Sequence, residues 1–103
     1  YISEIKNDKI VLPFCDDFAK HVFHLFVVRT ENREHLQEYL KENSIETLIH
    51  YPIPPHKQNA LKEWNNLSFP ITEKIHREVL SLPISPVMSD DEVTKVVEIL
   101  NRY

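Results

Sequence analysis

No glycine occurs among the 103 residues of this chain. At an average usage of about 7%, about seven would be expected. Glycine is the residue that enters left-handed backbone without a steric penalty. Its absence removes the Gly-rich loops that cradle phosphates and dinucleotides through backbone N–H groups. A domain that handles phosphate through its own backbone is thereby disfavoured. Helix C-caps and tight turns must also be closed by other residues. Asn and Asp tolerate the left-handed region best after glycine. The expected sites are Asn7-Asp8, Asn43 and Asn65-Asn66.

The remaining composition suits one domain over residues 1–103. Hydrophobic residues make up 42% and charged residues 27%, which argues for a packed core and against disorder. A formal charge of −4, with both signs dispersed, lacks the basic footprint of a nucleic-acid binder. The best apolar run, Val22 to Val28, is interrupted by His24 and falls far short of the ~20 residues of a membrane span. No basic segment precedes an apolar stretch, so no signal peptide is expected in this sequence. Cys15 has no second cysteine to pair with, which points to a reducing, cytoplasmic setting. The first residue is Tyr1 rather than Met, as expected of a piece of a longer protein.

Patterning predicts an α+β fold, a small sheet with helices packed mainly on one face. Ile10 to Phe14 reads as a short strand closed by Pro13, and His21 to Thr30 as a strand apolar on both faces, hence covered on both sides. A helix follows, with Thr30 as its expected N-cap and Leu36, Tyr39 and Leu40 as its buried stripe. Glu34, Glu38 and Glu42 recur every four residues on a solvated face. Ile45 to Tyr51 alternates as a strand, with Ile45, Thr47, Ile49 and Tyr51 on one side and Glu46, Leu48 and His50 on the other. Pro52, Pro54 and Pro55 then stiffen the chain and forbid ladder pairing. Lys57 to Trp64 reads as a short helix ended by Asn65-Asn66, and Thr72 to Leu80 as a helix with Ile75 and Val79 inward. Leu82-Pro83-Ile84 is a short extended piece. Ser89-Asp90-Asp91-Glu92 is a capping box that opens a last helix with Val93, Val96, Val97 and Leu100 on one stripe.

Six histidines invite a metal reading. His21 and His24 point to opposite faces of a strand, which disfavours a zinc pair. His35 and His76 lie in predicted helices without a partner histidine one turn away, and both read as surface residues. Acidic neighbours Asp16 and Asp17 disfavour Cys15 as a nucleophile. His50 and His56 bracket the proline-rich segment at the end of a strand. The plainer reading is a turn made by prolines with two half-exposed histidines. The functional reading is a stiff loop that presents imidazole and phenol to a ligand at low entropic cost.

Three segments carry a resemblance. They are His21-Val22-Phe23-His24-Leu25-Phe26-Val27-Val28-Arg29, Ile49-His50-Tyr51-Pro52-Ile53-Pro54-Pro55-His56 and Leu80-Ser81-Leu82-Pro83-Ile84. In this order and spacing, from about Ile10 onward, they resemble the C-terminal small domain of the DegT/DnrJ/EryC1/StrS sugar aminotransferases. The resemblance implies a portion of a fold-type-I enzyme dependent on pyridoxal phosphate. Such enzymes move an amino group, usually from glutamate, onto a ketosugar carried by a nucleoside diphosphate. The Pro-Ile-Pro-Pro-His form is most similar to members that aminate C3 of a dTDP-linked 6-deoxy ketohexose. The Schiff-base lysine and phosphate-binding residues would lie in an absent large domain, so this piece carries no catalytic or cofactor-binding residue and no metal site. His50, Tyr51 and His56 match substrate-facing positions. The implied partners are the nucleotide sugar, the amino donor, the chain's own large domain and a second copy in a homodimer, with no nucleic acid and no membrane. Where the family usually has glycine after the first helix and before Thr47, this chain has Ser44 and Glu46. Members that replace the lysine and deoxygenate sugars remain open, since that position lies outside this chain. The alternative is a non-catalytic βαβ binding or regulatory module. A polar outer sheet face would favour that module, and an exposed apolar face the detached domain.

Overall fold

A computed structural model describes residues 1–103, the side chain of Phe18 excepted. Two short strands, β1 (Phe26–Arg29) and β2 (Val79–Leu82), pair antiparallel with Phe26 opposite Leu82 and Val28 opposite Leu80. Single bridged residues extend the sheet on both sides. Val11 exchanges two hydrogen bonds with Arg29, at 2.8 and 3.0 Å, and Leu48 exchanges two with Ser81, at 3.3 and 2.8 Å. The order across the sheet is therefore the Val11 segment, β1, β2 and the Leu48 segment. Both β1 and the Leu48 segment run antiparallel to β2 and so parallel to each other, joined through α1 (Arg33–Glu42). This is a split β-α-β unit with β2 inserted in the middle.

Directly paired residues of an antiparallel ladder share a face. Phe26, Val28, Leu80 and Leu82 thus form one inner face, and all are buried. Leu36 and Leu40 of α1 join them, as do Val96, Val97, Ile99 and Leu100 of α3 (Asp90–Arg102). Burying each such leucine contributes about 1.5–3 kcal/mol. Tyr1 packs its ring edge on Phe26 at 5.1 Å and donates its hydroxyl to the Pro83 carbonyl, while Asn7 and Asn101 tie the N-terminal stretch to α3. The capping box of α3 is complete: Ser89 Oγ accepts from the Glu92 N–H, and the Glu92 carboxylate accepts from the Ser89 N–H.

Several elements differ from the sequence expectation. The Ile10–Phe14 and Ile45–Tyr51 strands shrink to the single bridges at Val11 and Leu48. The strand expected from His21 begins only at Phe26, because Phe23 takes a positive φ of 43° and breaks the extended run. It is not fully covered on both sides: Phe26 and Val28 are buried, Val27 and Arg29 only half-buried, and Val22, ahead of the strand, is exposed. The N-cap position of α1 is Asn32 rather than Thr30. The segment after Trp64 folds as α2 (Pro70–Glu78), ending one residue before Val79, so Val79 and Leu80 belong to β2 and not to a helix. The Lys57–Trp64 region forms two short 3-10 turns, Pro55–Lys57 and Asn59–Trp64, stopped at Asn65. Left-handed backbone falls on Phe23 and Ser44 and on none of the expected Asn or Asp positions.

Candidate functional site

The outer sheet face carries Val27, Arg29, Val79 and Ser81, flanked by Val11 and Leu48. Val11 and Leu48 stay more than half exposed. Beside this face lies a groove of about 710 Å³. One wall comes from α1 through Glu34, Gln37, Glu38 and Lys41. The other comes from Glu46 to Leu48, His50 and Ser81 to Ile84, and His24 and Leu25 complete the lining. The alternation after α1 explains why His50 arrives there. Ile45 and Ile49 turn toward the core, so Leu48 and His50 turn outward, beside Ser81.

His50 Nδ1 lies 2.9 Å from Ser81 Oγ, and the His50 and Tyr51 rings meet edge to face with centroids 5.5 Å apart. Among the described residues, neither His50 Nε2 nor the Tyr51 hydroxyl has a hydrogen-bond partner within the chain. Tyr51 is 65% exposed. Structure therefore brings two of the three expected site residues together. The third, His56, is 4% exposed, packs edge to face on Phe69 and donates from Nε2 to Glu73 Oε1 at 3.0 Å. It stands outside the groove lining, and its ring is engaged in holding the loop.

The loop from His50 to His56 is fastened from α2. Glu73 receives His56 Nε2–H and, through the same oxygen, the Phe69 N–H at 3.0 Å. Those bonds, the Phe69 N–H first and His56 second, hold the Glu73 carboxyl below its ordinary value. One turn further on, His76 donates from Nδ1 to the Tyr51 carbonyl at 2.6 Å. Buried Arg33 of α1 donates to the His76 carbonyl, one of the orphan acceptors at the end of α2. His76, read from sequence as a surface residue, is thus a fastening point, and Ser81 and Gln37 were not singled out at all. The signal for Ser81 was present: it is the one polar residue in Val79-Leu80-Ser81-Leu82, a run in which every residue is buried.

Charge in the groove is acidic on balance. Glu34, Glu38 and Glu46 face one cation, Lys41. A hydrogen bond from Arg33 lowers the Glu34 pKa, so it is ionised at neutral pH. This lining suits neutral oxygens better than a diphosphate. A pyridoxal phosphate site needs a lysine placed against the cofactor in a water-shielded pocket. All eight lysines here are exposed, and Lys57 Nζ is occupied by the carbonyls of Asn65 and Leu67. The residues present do not fit that cofactor.

Residues 1–101 match the model of the DegT/DnrJ/EryC1/StrS aminotransferase family. The chain is 62% identical over 103 residues to the dTDP-3-amino-3,6-dideoxy-alpha-D-galactopyranose transaminase of Aneurinibacillus thermoaerophilus, covering 100% of this chain and 28% of that protein. Among solved structures it is similar to Streptomyces venezuelae DesV in complex with a ketimine intermediate, with a TM-score of 0.84 and 36% identity over 91% of this chain and 26% of that one. It is also similar to Bacillus subtilis NtdA with bound cofactor PMP, with a TM-score of 0.79 and 32% identity over 92% of this chain and 23% of that one. The chain thus spans about a quarter of the length of the proteins it matches. With nearly all of its residues inside the family pattern, the chain belongs to the DegT/DnrJ/EryC1/StrS aminotransferase family.

Proposed function

We propose that this chain is the C-terminal small domain of a pyridoxal-phosphate-dependent nucleotide-sugar aminotransferase. The parent enzyme would work in the cytoplasm as a homodimer. In this reading the parent moves an amino group, with glutamate as donor, to a nucleotide-linked keto-deoxysugar. The 62%-identical transaminase supports C3 of a dTDP-linked 6-deoxy ketohexose as the acceptor. The cofactor supplies the electron sink and is held outside this chain. What this chain contributes is a wall of hydrogen-bonding groups. Among the described residues, no helix is long and apolar enough to cross a membrane.

One observation carries the reading: His50 lines the groove and Tyr51, just outside that lining, meets its ring edge to face, each with a polar atom unspent inside the chain. A neutral imidazole N–H and a phenol O–H are suited to sugar oxygens. The three carboxylates nearby disfavour the diphosphate, so the sugar end is the moiety these residues meet. His56 acts on the ligand through the loop that it and Glu73 hold in place. The exposed apolar residues on the outer sheet face, Val11 and Leu48, favour a surface covered in a larger protein over a self-sufficient βαβ module. Phe14, more exposed still, extends that argument, while the Phe18 side chain lies outside the described residues.

The test is His50→Ala and Tyr51→Phe in the full-length enzyme. Loss of one neutral hydrogen bond should raise the KM for nucleotide sugar roughly three- to tenfold. The KM for glutamate and the cofactor absorbance should move less. Unchanged nucleotide-sugar binding by calorimetry in both variants would leave the loop with a structural role only.

A further inference from the structure

We propose that Ser81 is a positioning residue for His50: its buried hydroxyl donates to Nδ1 and thereby holds the imidazole as the Nε2–H tautomer, a hydrogen-bond donor toward the groove. This rests on the reading of His50 as a sugar contact.

Ser81 occupies the middle of β2. Its N–H and carbonyl are both used by Leu48, and its surface is 5% exposed. Val79, Leu80 and Leu82 show what such a strand position ordinarily holds. A hydroxyl buried there is unfavourable unless it is hydrogen-bonded. Among the described residues the one partner of Ser81 Oγ is His50 Nδ1 at 2.9 Å. Two arrangements of that bond are chemically possible. If Nδ1–H donated to Oγ, the serine proton would be left without an acceptor in a buried place. If the serine donates, its proton and His50 Nδ1 are both satisfied, and the imidazole proton must sit on Nε2, which stays available to the groove. The second arrangement satisfies the site.

Nε2 is on the opposite edge of the ring from Nδ1, and the ring is steadied by the edge of Tyr51 at 5.5 Å. Fixing the tautomer also fixes what the groove can recognise. An N–H donor matches an oxygen that can only accept, such as a carbonyl or a ring ether. A histidine free to exchange tautomers could also present a bare Nε2 and accept a hydroxyl proton. Ser81 would then set, through His50, the discrimination between a keto group and an alcohol at the oxygen that His50 meets.

The experiment uses the full-length enzyme with 15N-labelled histidine. Long-range 15N–1H spectra at a pH where His50 is neutral read the tautomer directly, with assignment by the His50→Ala variant. The wild type should show Nε2–H, and an Nδ1–H or evenly mixed His50 would overturn the proposal without any mutation at Ser81. Ser81→Ala should give the mixed signature, and Ser81→Thr should restore Nε2–H. Kinetically, Ser81→Ala should raise the KM for nucleotide sugar roughly three- to tenfold with kcat much less changed. It should add little in the His50→Ala background. An equal effect in both backgrounds would mean Ser81 acts through something other than His50 and would overturn the proposal. If His50→Ala itself leaves sugar binding intact while the wild-type tautomer is Nε2–H, the sugar-contact reading fails and the Ser81–His50 coupling stands.

Discussion

Ser44 takes a left-handed φ of 61° in the turn that leaves α1. Its N–H donates to the Lys41 carbonyl at 2.9 Å, and the Ile45 N–H reaches back to the Leu40 carbonyl at 2.9 Å. These are the two bonds of a Schellman motif, with Ile45 and Leu40 meeting in the core beneath it. The left-handed region costs a non-glycine residue roughly 1–2 kcal/mol, and the extra backbone entropy of glycine returns roughly 0.5–1 of that. Ser44→Gly should therefore stabilise by about 0.5 kcal/mol in a denaturation series. Phe23, at φ 43°, should behave oppositely, because its ring stacks on Phe26 at 5.8 Å and on His21 at 4.1 Å. Phe23→Gly should lower the midpoint, since lost packing of roughly 1.5–3 kcal/mol outweighs the relief. A Ser44→Gly midpoint below the parent's would contradict the turn as described. The sequence expectation that asparagine would fill these places failed for a physical reason. Asn43 caps α1 from a φ of −91°, its Nδ2 donating to the Tyr39 carbonyl at 2.8 Å. The Schellman bonds demand the left-handed angle one residue later, whatever residue stands there.

Among the elements, α3 was the most legible from sequence and α2 the least. Capping box and stripe in α3 are local signals, and both appear as read, with Ile99 added to the buried set and Val93 only half-buried. Val97→Ala should cost about 1–2 kcal/mol by chemical denaturation, and an unchanged midpoint would mean that residue does not face the core. By contrast Ile75 and Val79 keep helical spacing across a helix end, and β2 is buried at all four positions, so no alternation marks where strand begins. Half of the candidate site was hidden for the same reason. His50 and Tyr51 stood out beside the prolines, whereas Glu73, His76 and Ser81 matter only because α2 and β2 pack against that loop. The clamp has a pH signature. Glu73 is held below its ordinary 4.5 in the folded protein. It therefore contributes stability at pH above that ordinary value, and the contribution is lost as pH falls through the lower folded value. Urea midpoints between about pH 7 and about pH 3 should fall less steeply for Glu73→Gln than for the parent. Parallel acid limbs in the two proteins would show that the carboxylate does not fasten the loop.

At the scale of the whole molecule, the division of labour follows from what is buried and what is not. The inner sheet face is closed by α1 and α3, while the outer face leaves Val11 and Leu48 open beside the groove. The polar groups at that groove can bind and orient. The one basic side chain in its lining, Lys41, is exposed on α1. A lysine that forms a Schiff base in an enzyme is made reactive by desolvation or by a neighbouring cation. Every lysine of this chain is exposed to water, and Lys57 and Lys74 are occupied by carbonyls and by Glu78 respectively. Pyridoxal phosphate added to the chain alone should therefore produce no one-to-one Schiff-base absorbance. Borohydride reduction followed by peptide mapping should find the label spread thinly over several exposed lysines. Glutamate and a nucleotide-linked ketosugar should give no amino sugar. A single lysine labelled stoichiometrically, with turnover, would place the cofactor site inside these 103 residues and overturn its assignment to the rest of the protein.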